Sequence, residues 1–313
     1  MRLAVVFPGQ GSQTVGMGTD VARANAAAAE TFRCARVVLG YDLLALCEGG
    51  PEEQLRETRY SQPAIFTTNV ALARAVGDAL TPVAGAGHSF GEYCALTLAG
   101  ALEFETALAL VNERGLAMHR AATLSPGAMA AVLGLQPDAL RDAVAETIAS
   151  GAGRVQLANF NAPGQIVISG DADAVRAAGA AALAKGAKRV VPLNVSGAWH
   201  SALMEPARDE FAPRVTSATV LPPHFTVISN VDARPYRDVE TIKRNLVRSV
   251  TEEVRWHDVA LALAAMQLDL IIEFGASAVL APMFRRVEGA PKAITVSDAA
   301  GVERLRAQLV PAA

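Results

Sequence analysis

The sequence predicts an α/β protein in two parts, a larger one on parallel strands and a smaller one inserted into it. Three features predict this. Short apolar runs closed by glycine or proline read as buried parallel strands. One of these runs straight into a tight turn and a helix. Within residues 126–195 the pattern reads strand, helix, strand, strand, helix, strand, which is the ferredoxin-like order. The 313 residues are 51% hydrophobic and 19% charged, apolar enough to offset the conformational entropy of folding. The chain has no uninterrupted apolar stretch of about eighteen residues, so a membrane span is not expected. Its apolar start ends at Pro8, too soon for a signal-peptide core. A net charge of −3 gives no basic footprint for nucleic acid.

Taken in order, residues 3–7 form the first strand, stopped by Pro8 and Gly9. Helical periodicity covers 20–38 and 62–80. Residues 83–86 form a second buried strand, a helix begins near Ser89, and helical stretches continue to about Thr123. Residues 127–135 read as a strand and Pro137 starts a helix. Two strands, 155–159 and 165–169, are joined by the turn residues Asn161, Pro163 and Gly164. An alanine-rich helix over 171–185 and a strand over 188–193 close the inserted part. Later strands are expected at 225–229, 270–274 and 292–296.

Three cysteines, Cys34, Cys47 and Cys94, have neither disulfide nor zinc spacing and read as reduced thiols of a cytoplasmic protein. No metal site is expected, since the His, Asp and Glu residues lack ligand spacing.

Gly87-His88-Ser89-Phe90-Gly91 places G-x-S-x-G after a strand and before a helix, the context a nucleophilic serine requires. The two glycines let strand and helix pass closely, and the helix start offers unpaired N–H groups under the hydroxyl. A structural turn is the minority reading. The serine needs a base, and there are five histidines. His88 reads as an orienting or packing residue, His119 and His224 as surface or packing residues, and His257 as a helix-start residue. His200, in Gly197-Ala198-Trp199-His200-Ser201, lies on a loop beside a bulky ring and is the candidate base. Gly9-Gln10-Gly11 after the first strand suits a loop whose amide, with that of Phe90, completes an oxyanion hole. Neither phosphate-cradling glycine pattern is present, which argues against nucleotide binding.

Phe7-Pro8-Gly9-Gln10-Gly11-Ser12-Gln13, the motif around Ser89, the block from Asn159 to Gly170 and the segment 197–204 resemble the malonyl-CoA:acyl carrier protein transacylases. The resemblance extends to polyketide synthase acyltransferases, including free-standing ones acting in trans, and runs over nearly the whole chain. It implies an α/β-hydrolase-like large domain of residues 1–125 and 196–313 and a ferredoxin-like subdomain of residues 126–195. It also implies a ping-pong transfer in the cytoplasm. Ser89 would take malonyl from malonyl-CoA with His200 as base, and the phosphopantetheine thiol of an acyl carrier protein would take it from the acyl-serine. The amides of Gln10 and Phe90 would form the oxyanion hole. Arg114, in Asn112-Glu113-Arg114-Gly115, would pair with the malonyl carboxylate. Gln62 and Asn161 match family residues near the substrate. No cofactor beyond the thioester carriers is implied, and the expected state is a monomer.

The chain also departs from the family pattern. Ser249 stands where the family has a glutamine whose backbone carbonyl orients the histidine, so the base should survive while any side-chain contact with the acyl group is lost. Gly275-Ala276-Ser277 replaces a Gly-Pro-Gly turn, an expected loosening of that loop. Trp199 takes the place of a more usual Phe and narrows the acyl pocket. Phe90 matches malonyl-selective members. These departures lean towards a specialised pathway over general fatty-acid synthesis. The chain ends at Ala313 with no attached synthase domain, the expectation for an enzyme acting in trans. The competing readings are a hydrolase clearing acyl groups from carrier proteins, a malonyl-transfer subunit of a malonate decarboxylase, and a non-catalytic carrier-docking module. Docking of an acidic carrier would use arginines such as Arg189, Arg208, Arg285 and Arg286.

Overall fold

A computed structural model of the chain describes residues 1–310; Ala313 lies outside them. The strands are β1 (Leu3–Phe7), β2 (Pro82–Gly87), β3 (Ala128–Leu133), β4 (Val155–Ala162), β5 (Gln165–Gly170), β6 (Arg189–Pro192), β7 (Thr226–Ile228), β8 (Leu270–Phe274) and β9 (Lys292–Val296). Five make a parallel sheet in the order β7-β2-β1-β8-β9. Apart from Glu273 in β8, its central strands are apolar because both faces are covered. Val5 and Phe7 enter one core with the helices Thr58–Val76 and Phe104–Leu124, while Ala4 and Val6 enter another with Trp256, Val259 and Leu263. β1 and β2 end level, Phe7 opposite Gly87. The loops that follow, residues 8–10 and 88–89, therefore leave the sheet side by side at its carboxyl edge, where open parallel sheets hold their ligands.

The remaining strands form an antiparallel sheet in the order β4-β5-β3-β6. The helices Pro137–Ala149 and Ala172–Ala184 pack with it around a separate core. This is the ferredoxin-like arrangement that the element order implies. β4 reaches back to the rest of the chain: Phe160 N donates to Val254 O at 2.9 Å and Val254 N donates to Ala158 O at 2.8 Å. Those two bonds fix the small sheet against the loop before the helix Trp256–Ala264.

Two helical expectations are corrected. The helix expected over 20–38 is two helices, Thr19–Ala24 and Ala26–Leu39, because Asn25 is extended and its side chain accepts from Ala27 and Ala28 N–H. The helix expected at 62–80 runs Thr58–Val76, starting a turn earlier and carrying Pro63 inside it. Gly77, at φ 72°, ends it.

Candidate active site

The serine turn follows from its glycines. A Cβ on Gly87 would stand 1.9 Å from the Gly91 carbonyl carbon, and one on Gly91 would stand 2.3 Å from Phe7 O. With both bare, the chain reverses in two residues and Ser89 takes φ 54°, a region that non-glycine residues rarely occupy. A Cβ on Gly9 would lie 2.7 Å from His88 O, so the loop after β1 rests directly on this turn. Gln10 is tied down by Thr58 Oγ1, which donates to its side-chain oxygen at 3.0 Å. Among the described residues, neither the Gln10 nor the Phe90 N–H donates to a protein acceptor, and both residues line one cavity with Ser89.

His200 faces the serine. Its Nε2 lies 2.8 Å from Ser89 Oγ, and it too has a positive φ, 56°. Its Nδ1 meets Glu252 O at 3.2 Å, with the Ser249 backbone as a second acceptor. Two carbonyls on that side place the ring proton on Nδ1 and leave Nε2 to accept from the serine. Burial, then the nearby Arg114 charge and His88, push His200 down to about 3 against the pull of the carbonyls. At neutral pH the ring is in its base form.

Arg114 reaches the same point from the helix Phe104–Leu124. It is 1% exposed, yet among the described residues no carboxylate pairs with it. Nη1 donates to Gln62 Oε1 at 2.8 Å and Nη2 to Ser89 Oγ at 3.3 Å, while Nε has no partner. Gln62 is itself oriented, its Nε2 donating to Thr58 Oγ1 at 2.8 Å. A buried guanidinium with a spare donor is expensive to leave unpaired, and this one lines a cavity of about 400 Å³ together with Ser89, His200, Gln10 and Gln62. Trp199, Phe90, Met118 and Met129 supply its apolar wall. The Trp199 ring lies so close over Gly197 that a Cβ there would be 2.6 Å away.

The structure thus brings Ser89, His200, Gln10, Phe90, Arg114, Gln62 and Trp199 together. Ser249 and Asn161 do not line the cavity. The Ser249 hydroxyl donates to Leu246 O at 2.9 Å, the backbone bond a short hydroxyl makes at a helix end; only its backbone serves the site. Asn161 Oδ1 accepts from His88 Nε2 at 2.9 Å, satisfying a half-buried ring that lies beside Trp256 and itself lines the cavity; the asparagines that reach the cavity are Asn159 and Asn194. His119, His224 and His257 lie away from the cavity, His257 packing on Phe160 with ring centroids 5.1 Å apart. Cys94 is wholly buried, and burial raises its thiol pKa.

The loop after β8 is not loosened. The Glu273 carboxylate accepts from the N–H groups of Val279, Leu280 and Ala281 at 2.8 to 2.9 Å and from Thr295 Oγ1 at 2.9 Å. A carboxylate inside the apolar run LIIEF was the signal of this tie in the sequence.

Other polar residues at the site had fainter signals. Gln156 Nε2 donates to His200 O and Thr251 O, both at 3.1 Å, and its Oε1 accepts from Ala202 N at 3.1 Å. Asn230, just past β7, accepts from Ser89 N at 3.2 Å and donates to Ser89 O at 3.1 Å. Only the position of Asn230, at the carboxyl end of a strand beside β2, distinguishes it in the sequence.

An acyl transferase domain family model matches residues 4–305. The malonyl CoA-acyl carrier protein transacylase of Escherichia coli K12 is 42% identical over 288 residues, 91% of this chain and 93% of that protein. The crystal structure of an acyl carrier protein S-malonyltransferase from Vibrio cholerae is 40% identical, with TM-score 0.92, covering 97% of this chain and all of that one. A malonyl-transacylase solved in complex with its type II polyketide synthase acyl carrier protein is 39% identical, with TM-score 0.93 and coverage of 98% and 100%.

Proposed function

The chain belongs to the acyl transferase family of the malonyl CoA-acyl carrier protein transacylases, and on that premise we propose that it moves malonyl from malonyl-CoA to the phosphopantetheine thiol of an acyl carrier protein, in fatty-acid or polyketide synthesis. Ser89 gives its proton to His200 Nε2 as its Oγ attacks the thioester carbonyl. The oxyanion that forms is met by the free N–H groups of Gln10 and Phe90, donors fixed before charge develops. Collapse breaks the carbon–sulfur bond, the coenzyme A thiolate takes the proton from His200, and malonyl-Ser89 remains. In the second half the carrier thiol gives its proton to His200 and attacks the ester, and Ser89 Oγ leaves with that proton.

One observation carries the substrate: Arg114, buried and without a carboxylate partner among the described residues, donates to the hydroxyl that is acylated. A malonyl group held as its oxygen ester on Ser89 presents its free carboxylate to that guanidinium, the bidentate pairing a lysine does not reproduce. Gln62 holds the fork in place. The reading requires no cofactor beyond the two thiol carriers and takes the enzyme as a cytoplasmic monomer. It gives nucleic acid and membrane no part; among the described residues no helix is long and apolar enough to cross a bilayer. An acidic carrier would approach across exposed arginines such as Arg189 on β6, Arg285 and Arg286, with Arg208 already engaged by Asp209.

Intact-mass spectrometry after mixing with malonyl-CoA, acetyl-CoA and a carrier protein tests this. A malonyl adduct at Ser89 that transfers to the carrier is the expected result. An acetyl adduct alone overturns the substrate assignment, and release to water that ignores the carrier thiol makes the protein a hydrolase.

A further inference from the structure

Beneath the reactive turn lies a buried carboxylate that neither half-reaction uses. Glu92, in the first turn of the helix Gly91–Leu98, is 0% exposed. Its Oε2 accepts from Asn230 Nδ2 at 2.5 Å and its Oε1 from Tyr236 O–H at 2.5 Å, the short contacts of charge-assisted hydrogen bonds. Asn230 in turn grips both polar atoms of the Ser89 backbone. Its Oδ1 accepts from Ser89 N, and the Nδ2 that serves Glu92 also donates to Ser89 O. Those backbone groups leave the strand at a residue with φ 54°, and this clasp opposes their return to an ordinary conformation.

The clasp works in one orientation of the carboxamide. Turned over, its NH2 would face the Ser89 N–H, and its oxygen would face both the Ser89 carbonyl and the Glu92 carboxylate. Each contact would then set donor against donor or acceptor against acceptor. Glu92 offers Asn230 only acceptor oxygens, so it forbids the flip. We propose that Glu92 is a positioning residue for the nucleophile: by fixing the amide orientation of Asn230 it holds the strained Ser89 backbone in the geometry that points Oγ at His200. This deepens the acyl-transfer reading and rests on it. The groups acting on Glu92 are Asn230, Tyr236 and Arg114, with Tyr93 affected in turn. Burial is the largest influence and pushes Glu92 up to about 7. A protonated carboxyl still presents its carbonyl oxygen to Asn230 while its O–H turns to Tyr236, so the clasp needs the acceptor rather than the charge.

The test compares wild type with Glu92→Gln, Glu92→Ala and Asn230→Ala. It measures kcat and KM for malonyl-CoA, melting temperature, and the rate at which a neutral fluorophosphonate labels Ser89. Glu92→Gln keeps an acceptor and a donor in the right places and is expected within a few-fold of wild type. Glu92→Ala is expected to lower kcat and the labelling rate together by roughly 10- to 100-fold, the scale of a small misplacement of a reacting group, with KM unchanged. Asn230→Ala, which leaves the carboxylate in place, is expected to show the same loss and to stand in if Glu92→Ala does not fold. A variant that lowers only the melting temperature, leaving kcat and labelling at wild-type values, overturns the proposal. Failure of the wild type to take up malonyl would overturn the function instead, and the labelling rates would still report what Glu92 does to Ser89.

Discussion

Ser89 and His200 both sit at positive φ, 54° and 56°, with Oγ and Nε2 2.8 Å apart. Two non-glycine residues in the left-handed region, in hydrogen-bond contact, mean that the fold carries strain where the chemistry occurs; each such residue costs on the order of 1–3 kcal/mol. Replacing the serine separates strain from function. Ser89→Gly and Ser89→Ala both lose acyl uptake, but glycine enters the left-handed region freely. Ser89→Gly should therefore be more stable than Ser89→Ala by about 1 kcal/mol. Urea denaturation of the two variants measures the difference, and equal midpoints would mean the turn is unstrained.

Arg114→Ala should discriminate between acyl groups. Removing the guanidinium takes away the partner of the malonyl carboxylate and leaves that charge buried, an effect of about 2–5 kcal/mol, or roughly 30- to several-thousand-fold in kcat/KM for malonyl-CoA. Acetyl-CoA has no carboxylate to lose, so its kcat/KM should not fall. Arg114→Lys should recover little, because one ammonium cannot serve Gln62, Ser89 and a carboxylate together. Parallel losses for malonyl-CoA and acetyl-CoA would show that Arg114 serves the serine alone.

The parts of this site that are visible in the sequence are those whose signal is local. LAVVF and the Gly87–Gly91 spacing declare a strand and a sharp turn because each requires particular residues at adjacent positions. Arg114 is different. It lies on a helix where a solvent-facing charge is the default, and only its resemblance to a family motif marks it, because the burial that makes it matter comes from Gln62, Ser89 and the cavity wall. Ser249 and Asn161 show the reverse error. Motif position brought them near the site, but the Ser249 side chain satisfies Leu246 and the Asn161 side chain satisfies His88. Sequence position does not say where a short polar side chain will find its hydrogen bond. Asn25, which splits one expected helix into two, makes the same point: it interrupts an apolar period that continues on either side.

Trp199 should restrict the acyl group. Its indole, 5% exposed, is pressed over Gly197 and forms part of the cavity wall. Trp199→Phe removes a ring without adding a polar group and leaves room for one more methyl. A methyl-sized fit in an apolar pocket is worth about 1–3 kcal/mol. The ratio of methylmalonyl-CoA to malonyl-CoA kcat/KM should accordingly rise by about tenfold or more. An unchanged ratio would place the selectivity elsewhere in the wall.

Gln156 connects the small sheet to the base. One carboxamide on β4 holds the His200 carbonyl, the Thr251 carbonyl and the Ala202 amide. It thereby sets the histidine loop against the segment that carries the Glu252 carbonyl. Gln156→Ala should lower kcat by up to about 100-fold through displacement of the imidazole, with little change in KM for malonyl-CoA. Gln156→Glu keeps the acceptor for Ala202 but loses the donor, so it should recover only part of the rate. A Gln156→Ala enzyme with wild-type kcat would mean that the loop is held by its other contacts.

The pH dependence follows from the direction in which His200 is shifted. The serine reacts when Nε2 is free, and burial together with the Arg114 charge lowers the imidazole to about 3. Between pH 8 and pH 5 almost all of the ring therefore stays neutral. The labelling of Ser89 by a neutral fluorophosphonate should be flat on its acid side across that range. Protonation of Glu92 falls within the same window but leaves Asn230 an acceptor, so it adds no step. Arg114→Ala removes the largest charge acting on His200 but leaves the burial that lowers it most, so the folded-state pKa rises and the acid limb moves up from its wild-type position. The two profiles should thus separate as the pH falls, with the variant losing rate first. An acid limb near 6.5 in the wild type would show that solvent reaches the ring and that burial does not set its basicity.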